Sequence, residues 1–303
     1  MKKLFLLFIL FYWTYSFGQK VEIAFRIPEK DLIPEGIAYN PESQSFFVSS
    51  IFKRKIVKID AKKQVSDFIS SGQDGIGEVL GLKVNNEKLW ACSNFENKAM
   101  VHQYDIASGK LVQKWIFEFE EEKHLFNDLA VVNDEAFISD SDFGAIYHVS
   151  SQLTKPEVWV KDARLQDING ITLMKDRSVV VNASSGFFKL DLDKKEIISL
   201  PFQGYFPIGI DGLCFYKESL IGIQNVVFPV SINQYYLNGS LNQIEKARVL
   251  VANHPQFNIP TTSTIAGEWL YFIANSQLQN IEKGKIKDPS KLEEVLIMRV
   301  KLD

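Results

Sequence analysis

Four oxygen-bearing side chains stand beside a glycine or an aspartate at wide intervals along the chain. They are Glu35, Asn127, Asn169 and Asp211, in the motifs Pro-Glu-Gly, Phe-Asn-Asp, Ile-Asn-Gly and Ile-Asp-Gly. Two carboxylates and two carboxamides offer only oxygen ligands, which a hard divalent cation such as calcium prefers. Taken singly, Asn-Gly and Asp-Gly are also common in tight turns. A metal site therefore requires a fold that brings all four together.

A strand that ends in an apolar residue followed by a polar turn recurs six times. The copies end at Asp60, Asp105, Ser150, Asp191, Asn238 and Asp303. Their usual spacing of about 45 residues is typical of one four-stranded propeller blade. A charged insertion at 283–294 lengthens the last interval. We predict an all-β fold, a six-bladed β-propeller that forms one domain over residues 19–303.

The sixth unit of this repeat ends after its third strand and would leave an unpaired edge. Residues 21–27 alternate apolar and polar side chains before the first unit begins. An N-terminal strand can therefore pair with residues 297–302 and close the ring. An unrelated leading strand is the alternative interpretation.

The four oxygen-bearing residues occupy equivalent positions, each at the start of an innermost strand. The innermost strands of a propeller run along its axis, so equivalent residues converge on one point. The second unit has Leu80 at this position. We predict that Glu35, Asn127, Asn169 and Asp211 bind one divalent cation, calcium being the expected ion, with waters completing its coordination.

The first 18 residues have the pattern of a secretory signal peptide. Lys2 and Lys3 precede an apolar run over 4–13, and small or polar residues follow. The run is too short to span a bilayer, and no apolar stretch of about 20 residues occurs downstream. We expect a periplasmic or secreted protein with no membrane span, which acts as a monomer.

Composition and missing motifs exclude several classes of function. The formal net charge of −3, more negative once the two leading lysines are removed, argues against nucleic acid. Cys92 and Cys214 lie in apolar runs and are expected to be buried free thiols. The sequence has no Gly-x-Ser-x-Gly elbow, His-Glu-x-x-His helix or Walker loop. His254, in a loop before the sixth unit, is a candidate substrate contact.

The chain resembles the senescence marker protein, gluconolactonase and luciferin-regenerating enzyme family, with paraoxonases and squid-type phosphotriesterases as more distant relatives. The resemblance covers nearly the whole mature chain. It depends on Pro-Glu-Gly-Ile-Ala-Tyr at 34–39, Phe-Asn-Asp at 126–128, Asn-Gly-Ile at 169–171 and Ile-Asp-Gly-Leu at 210–213. The resemblance implies that these motifs supply the metal ligands and, at Asn127, a carboxamide that faces the substrate.

Two departures from the family bear on the substrate. Gluconolactonase-like members often carry an arginine where this chain has Leu125, which argues against a sugar lactone and assigns Leu125 to the substrate site. Paraoxonase-like members have a histidine on the second blade, where this chain has Leu80-Gly81-Leu82. We therefore expect an apolar lactone or ester as the small-molecule substrate.

The resemblance implies a hydrolase in which the metal polarises a carbonyl and stabilises the oxyanion. Asp211 and Asp128 are the candidate general bases, and a carboxylate held by a cation is the poorer base of any pair. The rival interpretation is a non-catalytic propeller that binds a ligand or a protein. A strictosidine-synthase-like propeller is a third, against which the four-oxygen ring argues.

Overall fold

The computed structural model describes residues 20–202 and 207–303, in which six four-stranded antiparallel sheets form a six-bladed β-propeller. The predicted fold class is confirmed. The predicted signal segment and the domain boundary at residue 19 lie outside the described residues and stay predictions. Within the described part of the chain, no helix is long and apolar enough to cross a membrane.

The strands of each blade follow one another from the axis outward. The first strand, β1 (Val21–Ile27), belongs to the last blade. Blade 1 consists of β2 (Ile37–Asn40), β3 (Ser45–Ser50), β4 (Lys55–Ile59) and β5 (Val65–Ile69). Blade 2 consists of β6 (Glu78–Asn85), β7 (Lys88–Phe95), β8 (Lys98–Asp105) and β9 (Leu111–Glu118). Blade 3 consists of β10 (Phe126–Val132), β11 (Glu135–Asp140), β12 (Ala145–Val149) and β13 (Glu157–Lys161).

The remaining blades repeat this order. Blade 4 consists of β14 (Ile171–Leu173), β15 (Val179–Ala183), β16 (Gly186–Asp191) and β17 (Glu196–Ser199). Blade 5 consists of β18 (Ile210–Tyr216), β19 (Ser219–Gln224), β20 (Ser231–Leu237) and β21 (Ile244–Ala252). Blade 6 begins with β22 (Ser263–Ala266) and β23 (Trp269–Ile273). A hairpin of β24 (Ile281–Glu282) and β25 (Lys285–Ile286) then precedes β26 (Val295–Lys301).

Helical structure is confined to single turns. The described residues contain short 3₁₀ helices at Gln73–Gly75, Ala163–Leu165, Leu278–Asn280 and Pro289–Lys291. The last of these and the second strand of the hairpin lie within the predicted charged insertion at 283–294.

The ring is closed by the first strand of the chain. β1 pairs antiparallel with β26, from Val21 opposite Val300 to Ile27 opposite Val295, and so becomes the outer strand of blade 6. The predicted closure is confirmed. Ile27 is fully buried, and Arg299 of β26 donates to Glu22 of β1. β1 therefore covers the edge of β26, which could otherwise pair with a strand of another chain.

The core is divided into six apolar clusters, one between each pair of neighbouring blades. Inner and middle strands are buried on both faces, and β3 and β10 have no exposed residue. Trp90 of blade 2 stacks on Trp115 in the cluster shared with blade 3. Cys92 and Cys214 are buried free thiols, as predicted. This packing holds the six inner strands in fixed positions around the axis.

Candidate metal centre

The predicted ligands lie where the inner strands begin or where their pairing is interrupted. Glu35 and Asn169 stand two residues before β2 and β14. Asn127 lies in a break of the β10–β11 ladder between Phe126 and Leu129, and Asp211 lies in a break of the β18–β19 ladder between Ile210 and Leu213. Such bulges interrupt the regular alternation of side chains between the two faces of a sheet and change the direction in which one side chain points.

The position after most of these residues is glycine because the next blade lies against it. A Cβ atom added to Gly36 would be 2.1 Å from the carbonyl oxygen of Leu80. One added to Gly170 would be 2.5 Å from the carbonyl oxygen of Asp211, and one on Gly212 would be 2.6 Å from Cα of Thr262. Neighbouring inner strands therefore approach backbone to backbone at this level of the axis.

The same contacts define the complete ring of equivalent positions. An added Cβ on Gly36, Gly81, Gly170 or Gly212 would meet the carbonyl oxygen of Leu80, Asn127, Asp211 or Thr261 in the next blade. With Asn169 at the start of the inner strand of blade 4, six positions correspond around the axis: Glu35, Leu80, Asn127, Asn169, Asp211 and Thr261. Four of the six carry the predicted ligand oxygens.

One oxygen of each predicted ligand is buried and has no hydrogen-bond partner. These atoms are Glu35 Oε2, Asn127 Oδ1, Asn169 Oδ1 and Asp211 Oδ1. Glu35 and Asn127 are only 4% and 7% exposed. A buried polar atom without a partner costs free energy, and such atoms are rare in folded proteins. Four orphaned oxygens at equivalent positions therefore fit a shared cation.

The donor set differs from a cluster of acidic and imidazole ligands. Among the described residues, no group of three or more His, Cys, Asp or Glu side chains is disposed to hold a metal ion. The four side chains, called the cage below, are the carboxylates Glu35 and Asp211 and the carboxamides Asn127 and Asn169. Such an oxygen-only set suits a hard cation better than zinc or copper.

Further polar groups hold the cage in place. Asn225 Nδ2 donates to Asp211 Oδ2 at 2.6 Å and to the carbonyl oxygen of Pro260 at 2.8 Å. Asn127 Nδ2 donates to Ser141 Oγ at 3.0 Å. Because these bonds use the other polar atoms of Asp211 and Asn127, the orphaned oxygens keep one orientation.

Blade 6 supports the cage through its backbone contact with Glu35. The hydroxyls of Thr261 and Thr262 donate to the carbonyl oxygen of Glu35 at 2.9 and 2.6 Å. Sequence reasoning missed these threonines, together with Asn225 and Ser141. For Ser141 and Asn225 the available signal was a polar residue at the end of the second strand of the repeat, but its partner could not be read from the chain alone.

Burial and mutual repulsion raise the pKa values of the two carboxyl groups of the cage. Burial, followed by the charges of Asp211 and Asp128, raises the pKa of Glu35 well above its usual value. Burial raises the pKa of Asp211 to about 6, although the hydrogen bond from Asn225 opposes this shift. The arrangement thus disfavours two free carboxylates, and a bound cation would offset the repulsion.

A cavity of about 430 Å³ opens over blades 3, 4 and 5. Asn127, Asn169 and Asp211 line it, whereas Leu125, Asp128 and His254 are not among its lining residues. Leu125 packs against the apolar cluster between blades 2 and 3. His254 accepts from the backbone N–H of Gln256 at 3.2 Å and packs against Phe257. The structure therefore places three of the four predicted metal ligands at this cavity, but not Glu35 or the predicted substrate contacts Leu125 and His254.

Asp128 is buried beside Asn127 and does not line the cavity. Leu129 N donates to its Oδ1 at 2.9 Å. Lys83 of β6 lies on its other side, with Nζ 3.4 Å from Oδ1. Both predicted bases are thus close to the ring, but only Asp211 faces the cavity.

No family model matches the chain, and no curated protein matches it by sequence. Solved structures match it over nearly its whole length. The gluconolactonase of Xanthomonas campestris is 12% identical, with 93% of this chain and 88% of that chain covered and a TM-score of 0.62. The calcium-binding protein regucalcin of Agrobacterium tumefaciens is 14% identical, with coverages of 93% and 96% and a TM-score of 0.58. The major allergen of Malassezia sympodialis is 16% identical, with coverages of 90% and 95% and a TM-score of 0.66.

At these identities the likeness shows the fold alone. The structural neighbours do include gluconolactonase and regucalcin, the group to which the sequence motifs pointed. The resemblance expected from the sequence is therefore confirmed at the level of a six-bladed propeller.

Proposed function

We propose that the chain is an exported hydrolase that uses one divalent cation, calcium being the expected ion, to cleave a lactone or an ester. The observation that carries the proposal is the set of four orphaned oxygens on Glu35, Asn127, Asn169 and Asp211. Gluconolactonase and calcium-binding propellers among the structural neighbours support the same chemistry. The proposed export depends on the pattern of the first 18 residues.

The four ligands divide the work of holding the cation. Glu35 and Asp211 supply negative charge, and Asn127 and Asn169 supply neutral oxygens that add contacts without adding repulsion. A divalent cation held there supplies a Lewis acid for the substrate carbonyl and stabilises the oxyanion. Asn225 keeps Asp211 oriented through its short hydrogen bond. The buried cage keeps these groups in one geometry before substrate arrives.

The general base remains one of two carboxylates. Asp211 lines the cavity and can reach a bound substrate, but as a metal ligand it is the weaker base. Asp128 is buried, with Lys83 3.4 Å from its carboxylate, which limits its access to substrate. We favour Asp211 for contact with the reacting groups and keep Asp128 as the alternative.

The walls of the cavity favour an uncharged substrate with an apolar part. Ile208, Ile210, Val226 and Val227 line the blade 5 side. Val226 is 74% exposed, and the neighbouring Phe228 is 90% exposed, which is unusual for side chains of this size. None of the described residues that line the cavity is Lys, Arg or His. A sugar acid would thus lack a cationic partner, whereas an alkyl chain could lie on this apolar wall.

The test is hydrolysis by purified mature protein across lactones, aryl esters and phosphotriesters, with and without a chelator. We expect activity that the chelator removes and calcium restores. We also expect a higher kcat/KM for an alkyl-substituted lactone than for gluconolactone. Chelator-resistant activity, or a clear preference for gluconolactone, would contradict the proposal. Ligand binding without turnover in every class would favour the non-catalytic binding propeller instead.

A further inference from the structure

Lys83 and Asp128 form a partly buried ion pair near the cage. Lys83 projects from the inner strand of blade 2, and its Nζ is 3.4 Å from each carboxylate oxygen of Asp128. A quarter of the Lys83 side chain is exposed, and Lys83 lines a second cavity of about 190 Å³ whose lining comes from the inner strands. Asp128 also accepts from Leu129 N and, at 3.5 Å, from Ile171 N of blade 4. The pair therefore connects blades 2, 3 and 4.

Lys83 is charged in this enclosed position. Burial lowers the pKa of Lys83, but the charge and hydrogen bond of Asp128 and the nearby thiols together raise it by more, so the net shift is upward. The ammonium also acts on the cage, because it opposes the upward shift of the pKa of Glu35. Its charge is thus felt by the proposed ligands as well as by Asp128.

A largely buried ion pair at this position calls for an explanation beyond stability. Replacing a buried pair by apolar side chains of similar volume is often neutral or stabilising. The neighbouring positions Leu80 and Leu82 of β6 are apolar and buried, and a methionine could fill the same space. The chain instead keeps an ammonium among the inner strands, close enough to act on the carboxyl of Glu35.

The charges of this region add to a simple total. Glu35, Asp128 and Asp211 carry three negative charges when all three are ionised, as a bound cation favours, and the ammonium of Lys83 carries one positive charge. Two negative charges remain, which one divalent cation neutralises. Without Lys83 the same carboxylates would match a trivalent ion.

We propose that Lys83 determines the valence of the cation: by neutralising Asp128 it leaves the cage two negative charges and selects a divalent over a trivalent ion of the same size. This inference rests on the proposed metal site but not on catalysis. Lys83 acts as a specificity-determining residue that touches neither the cation nor the substrate. Coulomb interactions inside a protein extend far enough for such an indirect effect.

The test compares calcium with terbium, a trivalent ion of similar radius, by titration calorimetry and terbium luminescence. Lys83→Met should raise the ratio of terbium to calcium affinity by about tenfold, because the cage then carries one more uncompensated charge. Asp128→Asn should lower both affinities and lower the ratio. The double variant restores two negative charges and should return the ratio close to that of the parent. Lys83→Arg keeps the charge and should leave the ratio within about threefold of the parent.

An unchanged ratio in folded Lys83→Met would overturn the proposal, since Lys83 would then only fill space. If that variant does not fold, the double variant compared with Asp128→Asn still isolates the lysine. The ratio should rise by about tenfold from Asp128→Asn to the double variant, and equal ratios would overturn the proposal. A parent protein that binds neither ion would refute the metal site itself, and a parent that binds calcium without hydrolysing any substrate would refute only the proposed activity.

Discussion

Blades 1, 3, 4 and 5 differ from blades 2 and 6 at one position of the ring around the axis. The first group carries a carboxylate or carboxamide there, and the second carries Leu80 and Thr261. A break in the ladder of the first two strands occurs in both groups. The β6–β7 ladder of blade 2 breaks between Val79 and Leu82, as the ladders of blades 3 and 5 break at Asn127 and Asp211. The scaffold is therefore common to the blades, and the chemistry depends on the side chain.

The two side chains that lack a ligand role serve the structure instead. Leu80 joins the apolar cluster between blades 2 and 3. The hydroxyl of Thr261 donates to the carbonyl oxygen of Glu35 and helps to hold that residue in place. Because blade 2 has a bulge but carries Leu80 there, a bulge at the axis does not by itself indicate a metal ligand. At this ring position, a buried oxygen without a hydrogen-bond partner is the distinguishing feature, and it occurs in blades 1, 3, 4 and 5.

The largest effect is expected from removing ligands. Asp211→Ala removes an oxygen and half of the formal charge of the ligand set, so we expect calcium affinity to fall at least about a hundredfold. Asn169→Ala removes a neutral oxygen and should lower affinity about tenfold, with the blades still folded. Calorimetric titration with calcium, alongside circular dichroism, measures both.

Two control variants sharpen this test. Asp142→Ala removes an exposed carboxylate from the rim of the same cavity and should change calcium affinity by less than about threefold, because screened surface charges interact weakly. Thr261→Val alters the equivalent position of blade 6, while Thr262 still donates to Glu35. It should also leave affinity nearly unchanged. Equal affinities in all four variants would mean that the predicted ligands only form turns.

A smaller effect is expected from disturbing the scaffold shared by the blades. Gly36→Ala would place a Cβ atom 2.1 Å from the carbonyl oxygen of Leu80, so blades 1 and 2 would have to move apart. We expect a loss of about 1–3 kcal/mol of unfolding free energy, the usual range for overpacking. Gly239→Ala is the matched control, because nothing lies within 4 Å of its added Cβ. Urea denaturation of both variants decides whether this close approach is required.

The blade repeat, the closing strand and the equivalent positions of the four proposed ligands could be predicted from the sequence because each repeats or completes a pattern. The polar turns fall about every 45 residues, and the unpaired sixth unit requires a strand such as β1. Asn-Gly and Asp-Gly at equivalent places then converge by symmetry. Local chemistry and the period of the fold agree at these positions.

The supporting residues could not be predicted because their partners lie in other blades at no fixed interval. Asn225 reaches Asp211 within its own blade but also binds Pro260 before blade 6. Lys83 meets Asp128 across a blade boundary. The predicted role of Leu125 came from comparison with a family pattern, and in the structure its side chain packs against a core cluster. Such contacts depend on side-chain direction, which periodicity does not fix.

The pH dependence of the metal-free protein offers a further difference between the two groups of blades, because Glu35 and Asp211 belong only to the first. Burial raises the pKa of both carboxyls, that of Asp211 to about 6. In the metal-free protein the folded state therefore holds protons that the unfolded chain has already released. A group whose pKa is raised in this way costs nothing below its ordinary pKa and destabilises the fold as pH rises.

We accordingly expect the melting temperature of the chelator-treated protein to fall as pH rises from about 4 through about 6, with a further decline as Glu35 ionises. Calcium should reverse this loss, because it binds the ionised carboxylates and stabilises the folded state. The calcium-induced rise in melting temperature should thus be larger at about pH 8 than at about pH 5. In Glu35→Gln/Asp211→Asn, where neither group titrates, the decline should become shallower and the response to calcium should be largely lost. A parent protein whose metal-free stability rises over the same interval would show that these carboxyls are not the buried, uncompensated pair described above.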